Sequence, residues 1–402
     1  MSEPGSETVF DAVVVGAGIS GLAVGRDLVA AGRSVRVLEA RQRVGGRLDS
    51  IDGLDLGATW FWPNEQRIQR LVSDLGVAVY EQHLLGDAVY HDPNGTQRLQ
   101  GNPIDVRSGR FVRGADSLAR AVARELPDGV LCLGTAVTEI AFGSGSELAH
   151  EHSEPIGRTD EGGVDERTVE VSTTAGRYTA RHVVLALPPA LAVERLSFTP
   201  EFSPELHELA RSTPVWMGGI TKVVIRYADA FWRTAGLSGS GISHVGPLRE
   251  LHDMSGVDGV PAALFGFVPA RRVGEATVTE AAVVEQLVAM FGQDAAEPDV
   301  VHIRDWRTEP HTSPVDVELL TSYEWFGDRR YAEPAADGRL HWSSTETSPD
   351  FPGHIEGALI AAERAARAVI DATGPRQPAA TAGRASSLPN QSVASATTGD
   401  TS

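Results

Sequence analysis

Cysteine is almost missing from this 402-residue chain, which carries Cys132 alone. One thiol excludes an internal disulfide framework and a CxxC redox pair. Long apolar runs are missing as well: no stretch approaches the ~20 uninterrupted apolar residues that cross a bilayer. The segment Met1 to Thr8 has neither a basic n-region nor an apolar h-region, so a secretory signal is not expected. Basic charge is scarce, with 35 Lys and Arg against 54 Asp and Glu and a formal net charge of −19. That balance argues against a nucleic-acid partner, because phosphate binding needs a basic footprint. It serves solubility, and it is compatible with drawing in a cationic substrate. The remainder, 42% hydrophobic and 22% charged, is that of an ordinary globular protein long enough for two domains. Together these absences lead us to expect a cytoplasmic protein with no membrane association.

The first pattern that carries chemistry is Gly16-Ala17-Gly18-Ile19-Ser20-Gly21. A GxGxxG is weak alone, but here its context is right. It follows an apolar, β-branched stretch (Phe10 to Val15) and opens a helix predicted over Leu22 to Ala31, which Gly32 is placed to end. Val35 to Leu38 reads as a second strand, and such a unit implies a parallel sheet with a right-handed crossover. Gly16 permits the tight turn, Gly18 lets the backbone approach a pyrophosphate, and Gly21 lets the helix pack closely on the strand. The helix N-terminus offers its free N–H groups to the phosphates. Glu39 ends the second strand 18 residues beyond Gly21, near the ~20 of dinucleotide folds. A carboxylate there accepts hydrogen bonds from ribose hydroxyls and disfavours a 2′-phosphate, so NADP is not expected. The pattern also suits a glycine turn in an unrelated α/β protein, and it does not separate NAD from FAD.

Helices are predicted next over Gln66 to Asp74 and Ser117 to Leu126. A β-meander is predicted from Val130 to Leu133, Thr168 to Ser172, Arg177 to Thr179 and Val183 to Leu187. The polar insertion near 143–167 reads as an exposed loop. Its His150 and His152 lack a ligand-spaced partner, so a solvated loop is preferred to a metal site. Strands at Gly219 to Tyr227 and Ala262 to Val268, a helix near Thr277 to Phe291, a short strand at 339–343 and an alanine-rich helix from Ile355 to Ile370 follow. Beyond Gly374 no aromatic residue occurs, and the composition is that of a disordered tail. No second GxGxxG follows a strand, so an NADPH-binding domain is not expected.

The residues after Glu39 narrow the cofactor. Ala40-Arg41-Gln42-Arg43-Val44-Gly45-Gly46-Arg47 sets two glycines among arginines, a second backbone-accessible loop suited to a dinucleotide with an extended second half. This segment resembles the GGR motif of the FAD-dependent amine oxidase superfamily (monoamine, polyamine and L-amino-acid oxidases). The resemblance continues in order over roughly residues 10–372. Asp55-Leu56-Gly57-Ala58-Thr59-Trp60 resembles the loop passing beside the flavin. Thr135-Ala136-Val137 resembles the strand whose valine backbone meets the adenine. Val183 to Pro189, which includes Ala186, is similar to the strand and double proline closing the family's FAD domain. Gly218 to Trp232 resembles the strand carrying the active-site lysine, here Lys222. Trp342 to Ala366, with Thr345-Glu346-Thr347 and Gly353-His354-Ile355, resembles the last strand and the helix that points at the flavin.

The resemblance implies an α/β fold: a Rossmann-like, GR2-type FAD-binding domain with an interleaved α+β substrate-binding domain built on a mixed sheet. The expected division is 1–65, 130–210 and 335–373 for FAD, 66–129 and 211–334 for substrate, and 374–402 as tail. FAD is then expected to be held by Gly16, Gly18, Ile19, Ser20, Gly21, Glu39, Ala40, Arg41, Gly46, Arg47, Gly57, Ala58, Thr59, Val137, Ala186, Trp306, Thr345, Glu346 and Ile355. Lys222 falls within a β-branched strand, where a lysine is costly unless it has a role or reaches solvent. The resemblance assigns it a water held against flavin N5. The implied reaction moves a hydride from the C–N carbon of an amine or amino-acid-like substrate to flavin N5. An imine results, and molecular oxygen takes the electrons as H2O2.

On the substrate side the chain departs from the family. Trp306 matches the tryptophan beside the flavin. Counting onward without gaps puts Val315 and Asp316 where monoamine oxidases carry the covalent-flavin cysteine and one cage tyrosine. His354 falls at the other cage tyrosine. With no thiol available, noncovalent FAD is expected. Asp316 and His354 would make a polar, pH-sensitive pocket for a cationic or hydrogen-bonding substrate; otherwise Asp316 points to solvent and His354 caps its helix. Tyr323 supplies a wall if the register slips, and Trp60, Trp62, Trp216, Trp325 and Phe326 line the cavity or belong to the core. The competing readings are a desaturase or tailoring oxidase acting on a C–C bond or cyclic intermediate, and a non-catalytic flavoprotein. A homodimer is left open.

Overall fold

The computed structural model describes residues 8–143, 167–269, 278–315 and 323–374. His150, His152, Asp316 and the tail beyond Gly374 lie outside the described residues.

Two sheets organise the chain. The first has eight strands. At its centre Val9–Val15 lies parallel between Gly176–Leu185 and Val35–Leu38. Residues 10–15 are buried on both faces, which is why, Asp11 apart, they read as an apolar run rather than an alternation. Helix Ile19–Ala30 crosses one face and packs with helices Asp116–Glu125 and Ile355–Thr373 through Leu22, Leu28, Leu118, Val122, Ala362 and Ala366. The other face buries Val13, Val183, Ala192, Leu209 and Trp342 together. Alanine on the last helix lets its backbone lie close to the first helix without leaving a void.

The meander differs from its prediction in two ways. Gly176–Leu185 is one strand of ten residues, not two. The polar pair Arg181-His182 reads as a break, yet His182 is buried, 3.2 Å from both the Gly338 carbonyl and the ring of His341. There one neighbour changes from antiparallel Val169–Thr173 to parallel Leu340–Trp342, while Val9–Val15 stays parallel alongside from Thr179 onward. Leu131–Cys132 is not in the meander at all, pairing parallel with Val35–Leu38 at the far edge. Val137–Phe142 takes its place beside Val169–Thr173, with a register shift between Val137 and Glu139 that hides its alternation.

The second sheet has seven strands in the order Val300–Asp305, Thr221–Tyr227, Ala262–Val268, Glu250–Asp253, Leu237–Ser243, Asp87–Asp92 and Gly95–Leu99. All neighbours are antiparallel except Leu237–Ser243 with Asp87–Asp92, so the sheet is mixed. Helix Glu280–Phe291 covers it through Val283, Leu287 and Met290. The stretch 66–129 is shared: helices Gln66–Asp74 and Asp116–Glu125 join the first sheet's core, while two of its strands extend the second sheet. Among the described residues, no helix is long and apolar enough to cross a membrane.

Candidate active site

A cavity of about 790 Å³ is lined by residues of both sheets, within the ~300–1,000 Å³ of ligand sites. One part is built by the glycine turn. Gly16 has φ +102°, a conformation that glycine adopts without strain. A Cβ on Gly21 would lie 2.0 Å from the Gly16 carbonyl oxygen, so only glycine lets helix and strand meet there. A Cβ on Gly18 would meet nothing within 4 Å, because this residue borders the cavity. The helix beginning at Gly18 has no side-chain cap and no acidic residue in its first turn. An uncapped helix start facing a cavity is a ready anion site. Ser20 locks this turn to the end of strand Leu340–Trp342, its hydroxyl donating to the Ser343 carbonyl at 2.6 Å.

Glu39 is buried and lines the same cavity, accepting the Ala17 N–H at 2.8 Å and the Arg41 N–H at 2.9 Å. Each oxygen keeps acceptor capacity for a further donor. Ala40, Arg41, Gly46, Arg47, Val137 and Ala186 line the wall with it. Arg47 is held by a two-pronged pair to Glu346, at 2.5 and 3.1 Å. Glu346 is fully buried and stands behind the wall, not on it; it also accepts the Trp216 N–H at 3.1 Å. Burial pushes its carboxyl up, but the Arg47 guanidinium outweighs this and holds it below the usual range.

The other part of the cavity centres on Lys222. Strand Thr221–Tyr227 buries it, and Nζ donates to the Gly57 carbonyl at 2.9 Å and to the Thr59 hydroxyl. The ammonium also sits 4.2 Å from the Phe265 ring centroid. Burial pulls Lys222 down from its ordinary value to about 7, against the pull of buried Asp55. A Cβ on Gly57 would lie 1.9 Å from the Arg47 carbonyl oxygen, so glycine brings this loop against the GGR segment. Trp306 is buried with Nε1 donating to Leu56 at 3.0 Å, and Thr345 and Ile355 complete this wall.

The predicted aromatic side divides. Trp60, Trp62, Trp216 and His354 line the cavity. Tyr323 does not: it is 59% exposed and packs outward on Trp216 and Phe326. Val315, placed beside the flavin by gapless counting, is exposed instead, its N–H held by Glu194 at 2.9 Å. His354 begins the last helix but makes no side-chain cap; its Nδ1 lies 2.6 Å from Glu65. Sequence reading missed Glu65, because 289 residues separate the two. It also missed a chain of three groups beneath Trp60. His252 lies 2.6 Å from Asp105 and 3.1 Å from Glu250, and Glu250 reaches the cavity with its side chain 49% exposed. Contact with His252 holds the Glu250 carboxyl below its usual range. No spacing signal links these residues. Among the described residues, no group of three or more potential ligands could hold a metal.

The cavity joins a glycine turn at an uncapped helix start to a buried lysine. The family of flavin-containing amine oxidoreductases matches residues 19–111 and 105–370, and the chain belongs to that family of oxidoreductases. Putrescine oxidase of Kocuria rosea is 28% identical, over 92% of this chain and 97% of its own. The L-amino acid dehydrogenase of a Synechocystis strain is 25% identical, over 90% and 94%. A solved structure of putrescine oxidase bound to putrescine shares the fold with a TM-score of 0.75 and 22% identity, covering 91% of this chain and 100% of that one.

Because Gly21 has no room for a methyl group, Gly21→Ala is expected to weaken flavin binding. Forced overpacking costs about 1–3 kcal/mol, or roughly 5–150-fold in affinity. Flavin absorbance per protein after dialysis measures this, and full loading would show that the turn relaxes freely.

Proposed function

We propose that the chain binds FAD noncovalently and oxidises an amine at its C–N bond, with a substrate that carries a second positive charge. Buried Lys222, set in one cavity with the glycine turn, carries this reading. The glycine turn and Arg47 would hold the pyrophosphate, Glu39 the ribose, and Val137 with Arg41 the adenine side. Gly57 to Thr59, Lys222, Trp306, Thr345 and Ile355 would border the isoalloxazine. FAD, when bound, would supply an acceptor for the substrate hydride at N5 and a route for the electron pair to oxygen as H2O2. The protein's share is to bind, orient and exclude water. Cys132 does not line the cavity, in keeping with noncovalent binding.

Glu250 supports the second charge. Its carboxylate faces the cavity, and His252, backed by buried Asp105, keeps it ionised. That suits the distal ammonium of a diamine better than a plain monoamine, and putrescine oxidase is among the relatives. Anaerobic titration with diamines, monoamines and amino acids tests the reading. A diamine is expected to bleach the flavin, with imine-derived carbonyl and peroxide appearing once air is admitted. Glu250→Gln should then raise KM for the diamine relative to a monoamine about tenfold, the worth of one charge-assisted contact. Acid precipitation should release intact FAD. If no C–N substrate bleaches the flavin while a cyclic substrate with a C–C bond does, the desaturase reading replaces this one.

A further inference from the structure

An amine oxidase faces a proton problem. Alkylamines titrate near the lysine value of ~10.4, so only roughly one molecule in 2,500 is free base near pH 7. The hydride cannot leave easily from an ammonium, whose nitrogen has no lone pair to offer. A group that takes the proton from the bound ammonium would remove that penalty.

His354 stands on the cavity wall with its side chain 30% exposed, whereas that of Glu65 is 1% exposed. Glu65 Oε1 lies 2.6 Å from His354 Nδ1, and Oε2 accepts the Trp62 N–H at 2.8 Å. An acceptor-only carboxylate at Nδ1 sets the tautomer, with hydrogen on Nδ1 and a lone pair on Nε2. Trp62 covers the ring at 4.7 Å, and Phe351 and Trp216 flank it at 6.2 and 6.4 Å, which holds it in place. The other charged groups nearby are engaged elsewhere. Glu356, on the same helix, accepts the Arg67 and Ile68 amides at 3.1 and 3.0 Å. Glu346, behind Trp216, is held by Arg47. Lys222, across the cavity, is committed to Gly57 and Thr59.

From this geometry we propose that Glu65 and His354 form a dyad that accepts the proton of the bound substrate ammonium. The substrate N–H bond breaks and an Nε2–H bond forms. The electron pair stays on the substrate nitrogen, and the Glu65 carboxylate neutralises the imidazolium. The proton returns to solvent when product leaves. His354 touches the substrate; Glu65 is a positioning residue acting through it. The inference rests on the amine-oxidation reading above.

The test uses the flavin-loaded enzyme and anaerobic reduction by one amine between about pH 7 and 9. For the wild type, the apparent affinity for total amine is expected to change less than about threefold. For His354→Gln and Glu65→Gln it should follow the free-base fraction, improving about tenfold per pH unit. Glu65→Asp, which keeps the carboxylate, should retain the shallow wild-type dependence, and it carries the test if Glu65→Gln does not load flavin. Ring 15N NMR gives a readout independent of turnover. Adding tert-butylamine, which has no α-hydrogen to lose, should convert the His354 Nε2 signal from unprotonated to protonated. Equal pH slopes in wild type and variants, or an unprotonated Nε2 with amine bound, overturns the dyad. If no amine reduces the wild type at any pH, the amine-oxidation reading itself fails.

Discussion

Lys222→Met is expected to keep its flavin and to slow reoxidation by oxygen about 100-fold or more, the usual scale for one preorganised charge or proton-transfer group. The side chain reaches the cavity from a strand and already holds the Gly57 carbonyl and the Thr59 hydroxyl. Burial brings it to about 7, so it is charged below that pH and neutral above it. An ammonium favours the negative charge that develops on oxygen as it is reduced. The reoxidation rate should therefore fall as pH rises through about 7 in the wild type, and this step should vanish in the methionine variant. Stopped-flow mixing of reduced enzyme with oxygen across this range measures both. Unchanged reoxidation would remove Lys222 from the mechanism.

Glu346→Leu is expected to be the most damaging change that leaves every cavity-lining side chain in place. It removes both carboxylate contacts of the Arg47 guanidinium, leaving it the Trp216 carbonyl at 3.3 Å, and removes the acceptor of the Trp216 amide. Breaking a fully buried pair costs about 3–5 kcal/mol. Arg47 keeps a quarter of its side chain exposed, so about 2–4 kcal/mol is expected here. Because Arg47 borders the dinucleotide part of the cavity, flavin affinity should fall together with the melting temperature. Glu346→Gln, which preserves shape and one acceptor, should lose less of both. A Glu346→Leu protein that melts and loads like the wild type would show that Arg47 finds another partner.

Much of the glycine-turn half of the cavity was legible because its signals are local. Glycines at fixed spacing, an apolar strand on each side and an acid at the second strand's end all fall within about thirty residues, and the structure places them as a turn requires. The helix at Gln66–Asp74 and the strand at Ala262–Val268 match their predicted bounds, the first a periodic pattern and the second a short apolar run. What failed was non-local. His182 read as a strand break because nothing in the sequence says that His341 will lie beside it. Val315 was placed by counting from Trp306, with Tyr323 as the choice if the register slipped, and counting cannot see the loop turn outward to Glu194. Glu65 with His354, and Asp105 with His252, join residues far apart in the chain. Local pattern encodes which elements form; which side chains meet across a cavity is decided by tertiary packing.

The hydroxyl of Ser20 bonds to Ser343, 323 residues further along. Strand Leu340–Trp342 completes the parallel sheet beside Gly176–Leu185, and the last helix supplies the packing partner of the first. The glycine turn is thus completed only by residues more than three hundred positions further along the chain. Contacts of such long range close late and slowly. A chain cut short before residue 340 would carry the whole glycine fingerprint without the strand and helix that pack against it.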